Sequence, residues 1–129
     1  MSTWRRSTGN RERVTQARRA LGAEGEAAVA AWYAGRGYDV VARNWRCPTG
    51  ELDLVVRKGR TLVLCEVKTR TSAAFGAPVE AVTPAKQARL RRLAGRWLES
   101  AGRPGSISDL RFDVASVLAG EIEVIEGAF

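Results

Sequence analysis

The chain has no histidine among its 129 residues and only two cysteines, Cys47 and Cys65. Without an imidazole, a Ser–His–Asp triad cannot form, and neither thiol has a histidine to activate it as a nucleophile. Two cysteines provide neither a disulfide framework nor the four nitrogen and sulfur ligands of a zinc site, so we expect both thiols to be reduced. Carboxylates and lysines are therefore the main candidates for catalysis.

Long apolar runs are also missing. No stretch approaches the roughly 20 apolar residues that cross a bilayer, and the arginine-rich N-terminus lacks the hydrophobic segment of a secretory signal. Apolar residues nevertheless make up 45% of the chain, which is enough for the core of one domain of ordinary size. We therefore expect a cytoplasmic protein with no membrane association.

Acidic residues are outnumbered, with 14 Asp and Glu against 21 Lys and Arg and a net charge of +7. Residues 1–19 hold six arginines and one glutamate, a net charge of +5, so the remaining residues carry only +2. We expect residues 1–19 to form a flexible basic arm and residues 20–129 to form the folded domain. Such an arm gains affinity for nucleic acid when counterions leave the phosphates.

The hydrophobic pattern predicts the element order α-β-β-β-α-β-β. Thr83 and Pro84 are typical of a helix start, with Thr as the N-cap and Pro at the first helical position. This order predicts an α/β fold in which helices flank a central mixed β-sheet, and residues 71–77 are expected to form a loop. The predicted helices cover residues 20–34 and 84–100, and the predicted strands cover residues 38–45, 51–56, 61–69, 110–118 and 121–125.

Asp53 and Glu66 are the first candidates for a site, because they interrupt apolar runs of two neighbouring strands. If residues 58–59 form a two-residue hairpin loop, Asp53 pairs with Leu64 and lies diagonally across from Glu66. Side chains alternate along a strand, so both carboxylates and Lys68 share one face, with the two acidic backbones roughly 7–8 Å apart. Two carboxylates at that distance can bind one ion between them.

Two neighbouring carboxylates repel each other unless a cation lies between them, and oxygen ligands suit Mg²⁺ or Mn²⁺. The metal ligands would be Asp53, Glu66 and the Val67 carbonyl. Glu26, in a helical row that otherwise looks buried, would contact the metal through water or hold a second ion. The cation would polarise a phosphoryl oxygen and lower the pKa of a bound water. Lys68 would orient that water or neutralise charge in the transition state.

A structural interpretation competes with this one, because a Glu-x-Lys on a strand is usually a solvated ion pair. The interruption of buried runs by charge favours a functional site. Glu51 is ambiguous and is expected to pair with Arg46 or Arg70. The basic residues of the second helix form either a solvated face or a phosphate-binding surface. The candidate nucleic-acid-binding residues are Lys86, Gln87, Arg89, Arg92, Arg96 and Arg70.

Several ordered segments resemble the YraN-type family of small bacterial proteins, over roughly residues 20–126. The segments are Gly22-x-x-Gly25-Glu26, Ala42-Arg43-Asn44-Trp45-Arg46, Gly50-Glu51-Leu52-Asp53-Leu54, Glu66-Val67-Lys68-Thr69-Arg70, Phe75-Gly76, Ala81-Val82-Thr83-x-x-Lys86 and Arg111-Phe112-Asp113-Val114.

That family is similar to the PD-(D/E)xK nuclease superfamily, and its pattern is closest to archaeal Holliday-junction resolvases. The resemblance implies a restriction-endonuclease-like three-layer fold. It also implies Asp53, Glu66 and Lys68 as the nuclease core and Glu26 as the helical acid. Some superfamily members carry a helical Gln-x-x-x-Tyr. Here the residue four positions after Gln87 is Arg91 instead of tyrosine.

Two functions follow from these patterns. The first is a Mg²⁺-dependent endonuclease that acts on DNA, including branched or damaged DNA. The alternative is a non-catalytic nucleic-acid-binding protein on a nuclease-like fold. A third possibility is that the substrate is RNA. One small site cuts one strand, so paired cuts would need a homodimer.

Overall fold

The computed structural model describes residues 2–70, 82–101 and 107–129. Its two helices and five strands follow the predicted order, and every predicted strand bound is within two residues of the observed one. The predicted loop over residues 71–77 lies outside the described residues. The elements are α1 (Ser2–Ala34), β1 (Asp39–Cys47), β2 (Gly50–Lys58), β3 (Thr61–Arg70), α2 (Pro84–Ser100), β4 (Asp109–Leu118) and β5 (Glu121–Ile125).

The five strands form one mixed sheet in the order β1-β2-β3-β4-β5. Strands β3 and β4 are parallel, and the other neighbouring pairs are antiparallel. Parallel neighbours require a long crossover connection, and α2 lies within the connection between β3 and β4. The sheet therefore has hairpin connections on both sides of a single parallel pair.

Each face of the sheet carries one helix. On one face, Val29 and Tyr33 of α1 pack in a buried cluster with strand residues such as Val63. On the other face, Leu93 and Trp97 of α2 pack in a second cluster with strand residues such as Leu64. The result is a helix–sheet–helix sandwich, which confirms the predicted α/β, restriction-endonuclease-like three-layer fold.

Helix α1 begins earlier than the sequence predicted. Its predicted start was Ala20, and its observed start is Ser2. The segment before Ala20 has no apolar stripe, but it contains no proline and only one glycine, Gly9. Extending an existing helix adds one hydrogen bond per residue, and the packed C-terminal half supplies the costly nucleus. The division into a flexible arm and a domain at residue 19 stays a prediction.

No helix in the described part of the chain is long and apolar enough to cross a membrane.

The β2–β3 hairpin has a different register from the predicted one. Lys58 pairs with Thr61, so the two-residue turn is Gly59–Arg60, and Val55 lies opposite Leu64. Gly59 has a φ of +59° at the first turn position, a conformation that glycine adopts readily and lysine does not. The predicted pairing was therefore wrong by two residues. A displacement of the register by two does not by itself move a side chain to the other face of the sheet.

Strict alternation along β2 predicts that Leu52 and Leu54 share a face, and this is wrong. Leu52 packs in the α2 cluster and Leu54 in the α1 cluster, so the alternation breaks at Asp53 between them. On the neighbouring strand, Asn44 has a φ of +51°. It lies between the residues that pair with Leu54 and Leu52. This local irregularity gives Asp53 a position that is neither fully in the core nor on the open surface.

Gly25 lies where α1 packs closely against Thr69 of β3. A Cβ at this position would overlap the Thr69 hydroxyl, whereas a Cβ at Gly22, one turn earlier in the same helix, would meet no atom within 4 Å. Gly25→Ala should therefore destabilise the fold by about 1–3 kcal/mol through overpacking, while Gly22→Ala should be neutral or stabilising by up to about 1 kcal/mol. Urea unfolding checks both. Equal effects of the two substitutions would contradict the close packing.

Candidate active site

The irregular end of the β2–β3 ladder places Asp53 beside Glu66. The last pair of the ladder is Leu54 with Cys65. Immediately beyond it, the Val67 backbone N–H donates a hydrogen bond to Asp53 Oδ2 over 2.9 Å. The carboxyl groups of Asp53 and Glu66 are also hydrogen-bonded to each other. The structure thus brings together the two acidic residues that the sequence proposed as metal ligands.

Asp53 is the member of this pair that stays protonated as the pH rises toward neutral. Burial, together with the negative charge of Glu66, raises the pKa of Asp53 to about 7, although the Val67 N–H acts in the opposite direction. A carboxylic acid can donate a hydrogen bond to a carboxylate, which removes the repulsion between the two groups. The pair therefore holds one proton where two negative charges would otherwise meet.

Two lysines compensate the remaining charge, which lies on Glu66. Lys86 Nζ is 2.8 Å and Lys68 Nζ is 3.4 Å from the same oxygen, Glu66 Oε1. Burial alone would raise the pKa of Glu66, but the hydrogen bond and charge of Lys86, with the charge of Lys68, outweigh burial and lower it. Burial and the neighbouring Lys86 lower the pKa of Lys68. Glu66 is therefore the ionised member of the acidic pair.

Lys86 reaches Glu66 because of how α2 begins. The Thr83 hydroxyl accepts a hydrogen bond from the Lys86 backbone N–H over 3.3 Å, which places Lys86 in the first helical turn. The sequence analysis grouped Lys86 with arginines that could contact phosphate. The structure instead places its ammonium group on Glu66, so Lys86 belongs to the acidic cluster. The cap was visible in the sequence, but the direction in which the first turn faces was not.

Glu26 lies at the edge of the cluster. It is half-buried and hydrogen-bonds the Asn44 side chain. Burial raises the pKa of Glu26, the bond to Asn44 opposes this, and the charges of Glu51 and Glu66 add to the increase. Within the residues that the structure describes, no three acidic or thiol side chains stand close enough to form a metal site by themselves. The charge of Glu26 contributes to the raised pKa of Asp53. Glu26 does not form a three-carboxylate cluster with Asp53 and Glu66 in this arrangement.

Asn44 is the residue that the sequence analysis did not single out. Asparagine tolerates a positive φ better than most residues, and Asn44 uses one while its side chain bonds Glu26. A polar asparagine in the middle of a predicted strand, within one of the segments shared with the YraN-type family, was the available signal. Through its bond to Glu26, Asn44 connects α1 to β1, the strand that pairs with the Asp53 strand β2.

The donor set fits a hard divalent cation. Asp53 and Glu66 supply carboxylate oxygens, which Mg²⁺ and Mn²⁺ prefer. Burial and, after it, the negative charge of Glu66 raise the pKa of Asp53, so a cation in place of the proton would relieve the repulsion between the two carboxylates. With only two carboxylates in direct contact, the remaining ligands would be a backbone carbonyl, such as that of Val67, and water.

The other candidate residues lie outside the acidic cluster. Arg89, Arg92 and Arg96 are exposed along α2, and Arg70 is half-buried in β3. Gln87 is half-buried, and its amide donates a hydrogen bond to the Val82 carbonyl over 3.2 Å, which stabilises the start of the helix. Whether these side chains contact nucleic acid stays a prediction.

Glu51 and the cysteines have structural surroundings. Glu51 forms an exposed ion pair with Arg46, with 3.5 Å between Glu51 Oε2 and Arg46 Nε. Arg46 was one of the two predicted partners of Glu51. Both cysteines are free. Cys65 is buried, and burial raises its pKa to about 12, which makes the thiol unreactive as a nucleophile. Cys65 is the small hydrophobe that the sequence predicted.

Fold and cluster together define a small α/β protein consistent with the restriction-endonuclease-like class, with an acidic pair and two lysines at the irregular end of a hairpin. The model of the uncharacterised protein family UPF0102 matches residues 25–117, and the chain belongs to this family, which is the YraN family. The resemblance stated from the sequence motifs is therefore confirmed.

Relatives match almost the whole chain. A UPF0102 protein of Beutenbergia cavernae is 52% identical over 117 residues, which cover 87% of this chain and 98% of the relative. One from Moorella thermoacetica is 47% identical over 123 residues, which cover 90% of this chain and 100% of the relative. A third, from Acidothermus cellulolyticus, is 45% identical over 129 residues. The alignments extend over nearly the full length of these relatives.

Proposed function

We propose that this protein is an endonuclease that depends on Mg²⁺ or Mn²⁺ and hydrolyses phosphodiester bonds of DNA, with branched or damaged DNA as its substrate. The observation that carries the proposal is the largely buried contact between the Asp53 and Glu66 carboxyl groups, flanked by two lysines. A structural role explains such a cluster poorly, because two adjacent carboxylates are costly to bury.

Asp53 and Glu66 would hold the cation, with the Val67 carbonyl and water as further ligands. A cation bound there would polarise a phosphoryl oxygen and lower the pKa of a water molecule. Glu26 would act on this site through water, because its own side chain is engaged by Asn44. The cation requirement follows from the acidic pair rather than from any single residue.

Lys68 is the residue best placed to act on the substrate. Its side chain remains 33% exposed, whereas that of Glu66 is only 10% exposed, so Lys68 is the more accessible member of this ion pair. From there it would orient the attacking water and offset negative charge on the phosphoryl group in the transition state. Its lowered pKa favours release of a proton compared with an ordinary lysine.

The exposed arginines of α2 would position DNA. Arg89, Arg92 and Arg96 follow Lys86 along the same helix. Contacts of this kind are to phosphates, so they add affinity without sequence preference and weaken as salt is added. A surface with this character suits recognition of DNA shape more than recognition of base sequence.

The direct test is cleavage of plasmid, four-way junction and flap DNA with and without Mg²⁺ or Mn²⁺. We expect Asp53→Asn and Glu66→Gln each to lower the cleavage rate by at least about 100-fold, because even outer partners of metal ligands typically cost 10–100-fold. Glu123→Gln, which removes an exposed carboxylate on β5, should leave the rate unchanged. Cleavage that survives both site substitutions would rule out this site.

One observation favours the second candidate, a non-catalytic nucleic-acid-binding protein. Glu66 already has two lysine partners, and Asp53 can carry the proton, so the cluster reaches charge balance without a cation. Salt-sensitive binding of DNA or RNA, combined with no calorimetric heat from Mg²⁺, would favour this candidate. Metal-dependent cleavage that is lost in Asp53→Asn would exclude it.

A further inference from the structure

Lysine is scarce in this basic protein. Of 21 basic residues only three are lysines, namely Lys58, Lys68 and Lys86. Two of the three meet at Glu66, while Lys58 lies elsewhere and donates a hydrogen bond to the Arg36 carbonyl over 2.8 Å. Lysine presents a compact charge on a flexible stem, whereas arginine presents a rigid fork. The cluster therefore contains two of the three side chains in this protein that carry an ammonium group on a flexible stem.

The two lysines on Glu66 are not equivalent. Lys86 Nζ is closer to Glu66 Oε1 than Lys68 Nζ is, at 2.8 Å against 3.4 Å. Lys68 lies on the same strand as Glu66, whereas Lys86 reaches across from the first turn of α2. The Lys86 side chain is 20% exposed, so water screens this ion pair only in part. The tighter partner of Glu66 thus comes from a separate element.

We propose that Lys86 is an internal counterion that a divalent cation must displace from Glu66, so that metal binding releases the Lys86 ammonium group toward the phosphates of DNA. The proposal rests on the metal site proposed above. A carboxylate oxygen that accepts a divalent cation cannot keep an ammonium group at 2.8 Å without strong repulsion between the two cations. The displaced side chain would join the basic face that carries Arg89 and Arg92.

Coupling of this kind is reciprocal. If the cation weakens the contact between Lys86 and Glu66, then Lys86 weakens cation binding by the same factor. Metal affinity would therefore be low in the free protein and would rise when DNA phosphates offer Lys86 an alternative partner. The cluster would then be charge-balanced without metal and become a hydrolytic site only when both the metal and DNA are present.

A calorimetric titration with Mn²⁺ tests the displacement without measuring cleavage. We expect Lys86→Met to bind Mn²⁺ at least roughly 10-fold more tightly than the unsubstituted protein, within the range typical of coupled sites. Arg92→Met is the matched control, because it removes one positive charge from an exposed position of the same helix. Its Mn²⁺ affinity should stay within about twofold of the unsubstituted protein, since an exposed charge that far along the helix is screened by salt.

The outcomes separate this inference from the proposed function. Equal or weaker Mn²⁺ binding by Lys86→Met, with clear binding by the unsubstituted protein, would overturn the counterion role and leave the metal site standing. The absence of Mn²⁺ binding in every variant would overturn both. Equal tightening by Lys86→Met and Arg92→Met would also overturn the role, because it would show a general effect of net charge.

A second measurement follows the unsubstituted protein during the Mg²⁺ titration, and variants serve only to assign its signals. Lysine labelled with ¹³C at Cε should give three NMR signals, assigned through single Lys→Arg substitutions. Saturating Mg²⁺ should move the Lys86 signal toward that of a solvated lysine and leave the Lys58 signal in place. A Lys86 signal that does not respond to Mg²⁺ saturation would overturn the proposal.

Discussion

Asp53→Asn is expected to stabilise the folded protein at pH 8 by about 2–4 kcal/mol, although it removes a proposed metal ligand. At that pH the unsubstituted protein holds two largely buried carboxylates in contact, because the pKa of Asp53 is raised to about 7. The asparagine carries no charge, can still accept the Val67 N–H through its oxygen, and can donate to Glu66 through its amide nitrogen. The substitution thus replaces repulsion by a hydrogen bond.

The pH dependence has a definite sign. Because the pKa of Asp53 is higher in the folded protein than its ordinary value of 3.8, the folded state favours the protonated acid. Stability is therefore lost as pH rises from about 3.8 to about 7, and asparagine escapes that loss. The advantage of Asp53→Asn should be largest at pH 8, smaller at pH 5 and absent near pH 4.

Urea unfolding at these three pH values measures the effect. Asp109→Asn, which changes an exposed carboxylate at the start of β4, is the control and should alter stability by less than about 0.5 kcal/mol. Mg²⁺ should raise the stability of the unsubstituted protein at pH 8 by mass action and should not raise that of Asp53→Asn. An Asp53→Asn protein that is less stable at pH 8 would contradict the repulsion between the two carboxylates.

Asp113→Asn is expected to have the opposite and equally large effect, a loss of about 3–5 kcal/mol. Asp113 is 1% exposed, and its oxygens accept hydrogen bonds from the Tyr33 hydroxyl at 2.6 Å, from Arg111 Nε and Nη2 at 2.9 and 3.0 Å, and from the Gly127 N–H at 3.0 Å. An amide group presents one oxygen where two are needed, and it leaves Arg111 with only the more distant and more exposed Glu126 carboxylate, 3.9 Å away, as a counterion.

Chemical unfolding of Asp113→Asn and Tyr33→Phe separates charge from hydrogen bonding. Tyr33→Phe removes one donor to Asp113 and should cost less, about 1–3 kcal/mol, because Arg111 and Gly127 still satisfy the carboxylate. A cost below about 1 kcal/mol for Asp113→Asn would show that the network contributes little. This network joins α1, β4 and the C-terminal segment, so it supports the fold away from the candidate site.

Much of the fold was predictable because its signals are local. Thr83 and Pro84 defined the start of α2, where the cap was found, and alternating or continuous apolar runs located all five strands. The types of candidate site residue were also readable, since Asp53, Glu66 and Lys68 interrupt runs that are otherwise apolar. These inferences depend on backbone preferences and on burial, which act over a few residues.

The register and the surroundings of the site were not predictable in the same way. Lys58–Gly59 and Gly59–Arg60 are both possible two-residue turns, and the choice depends on which residue takes the positive φ that Gly59 adopts. The break in alternation at Asp53 depends on Asn44 from a neighbouring strand. The position of Lys86 on Glu66 depends on how α2 packs against the sheet.

The sequence by itself determined which chemistry is available. Without histidine, and with cysteines unsuited to catalysis, carboxylates and lysines are the main candidates, and the order of elements determined the layers. Tertiary structure alone decided the partners. A strand pattern records which face a side chain occupies, but the 2.8 Å ion pair of Lys86 with Glu66 and the proton that Asp53 holds beside Glu66 arise from contacts between separate elements. Such contacts are set by packing of the whole domain, and no local sequence preference encodes them.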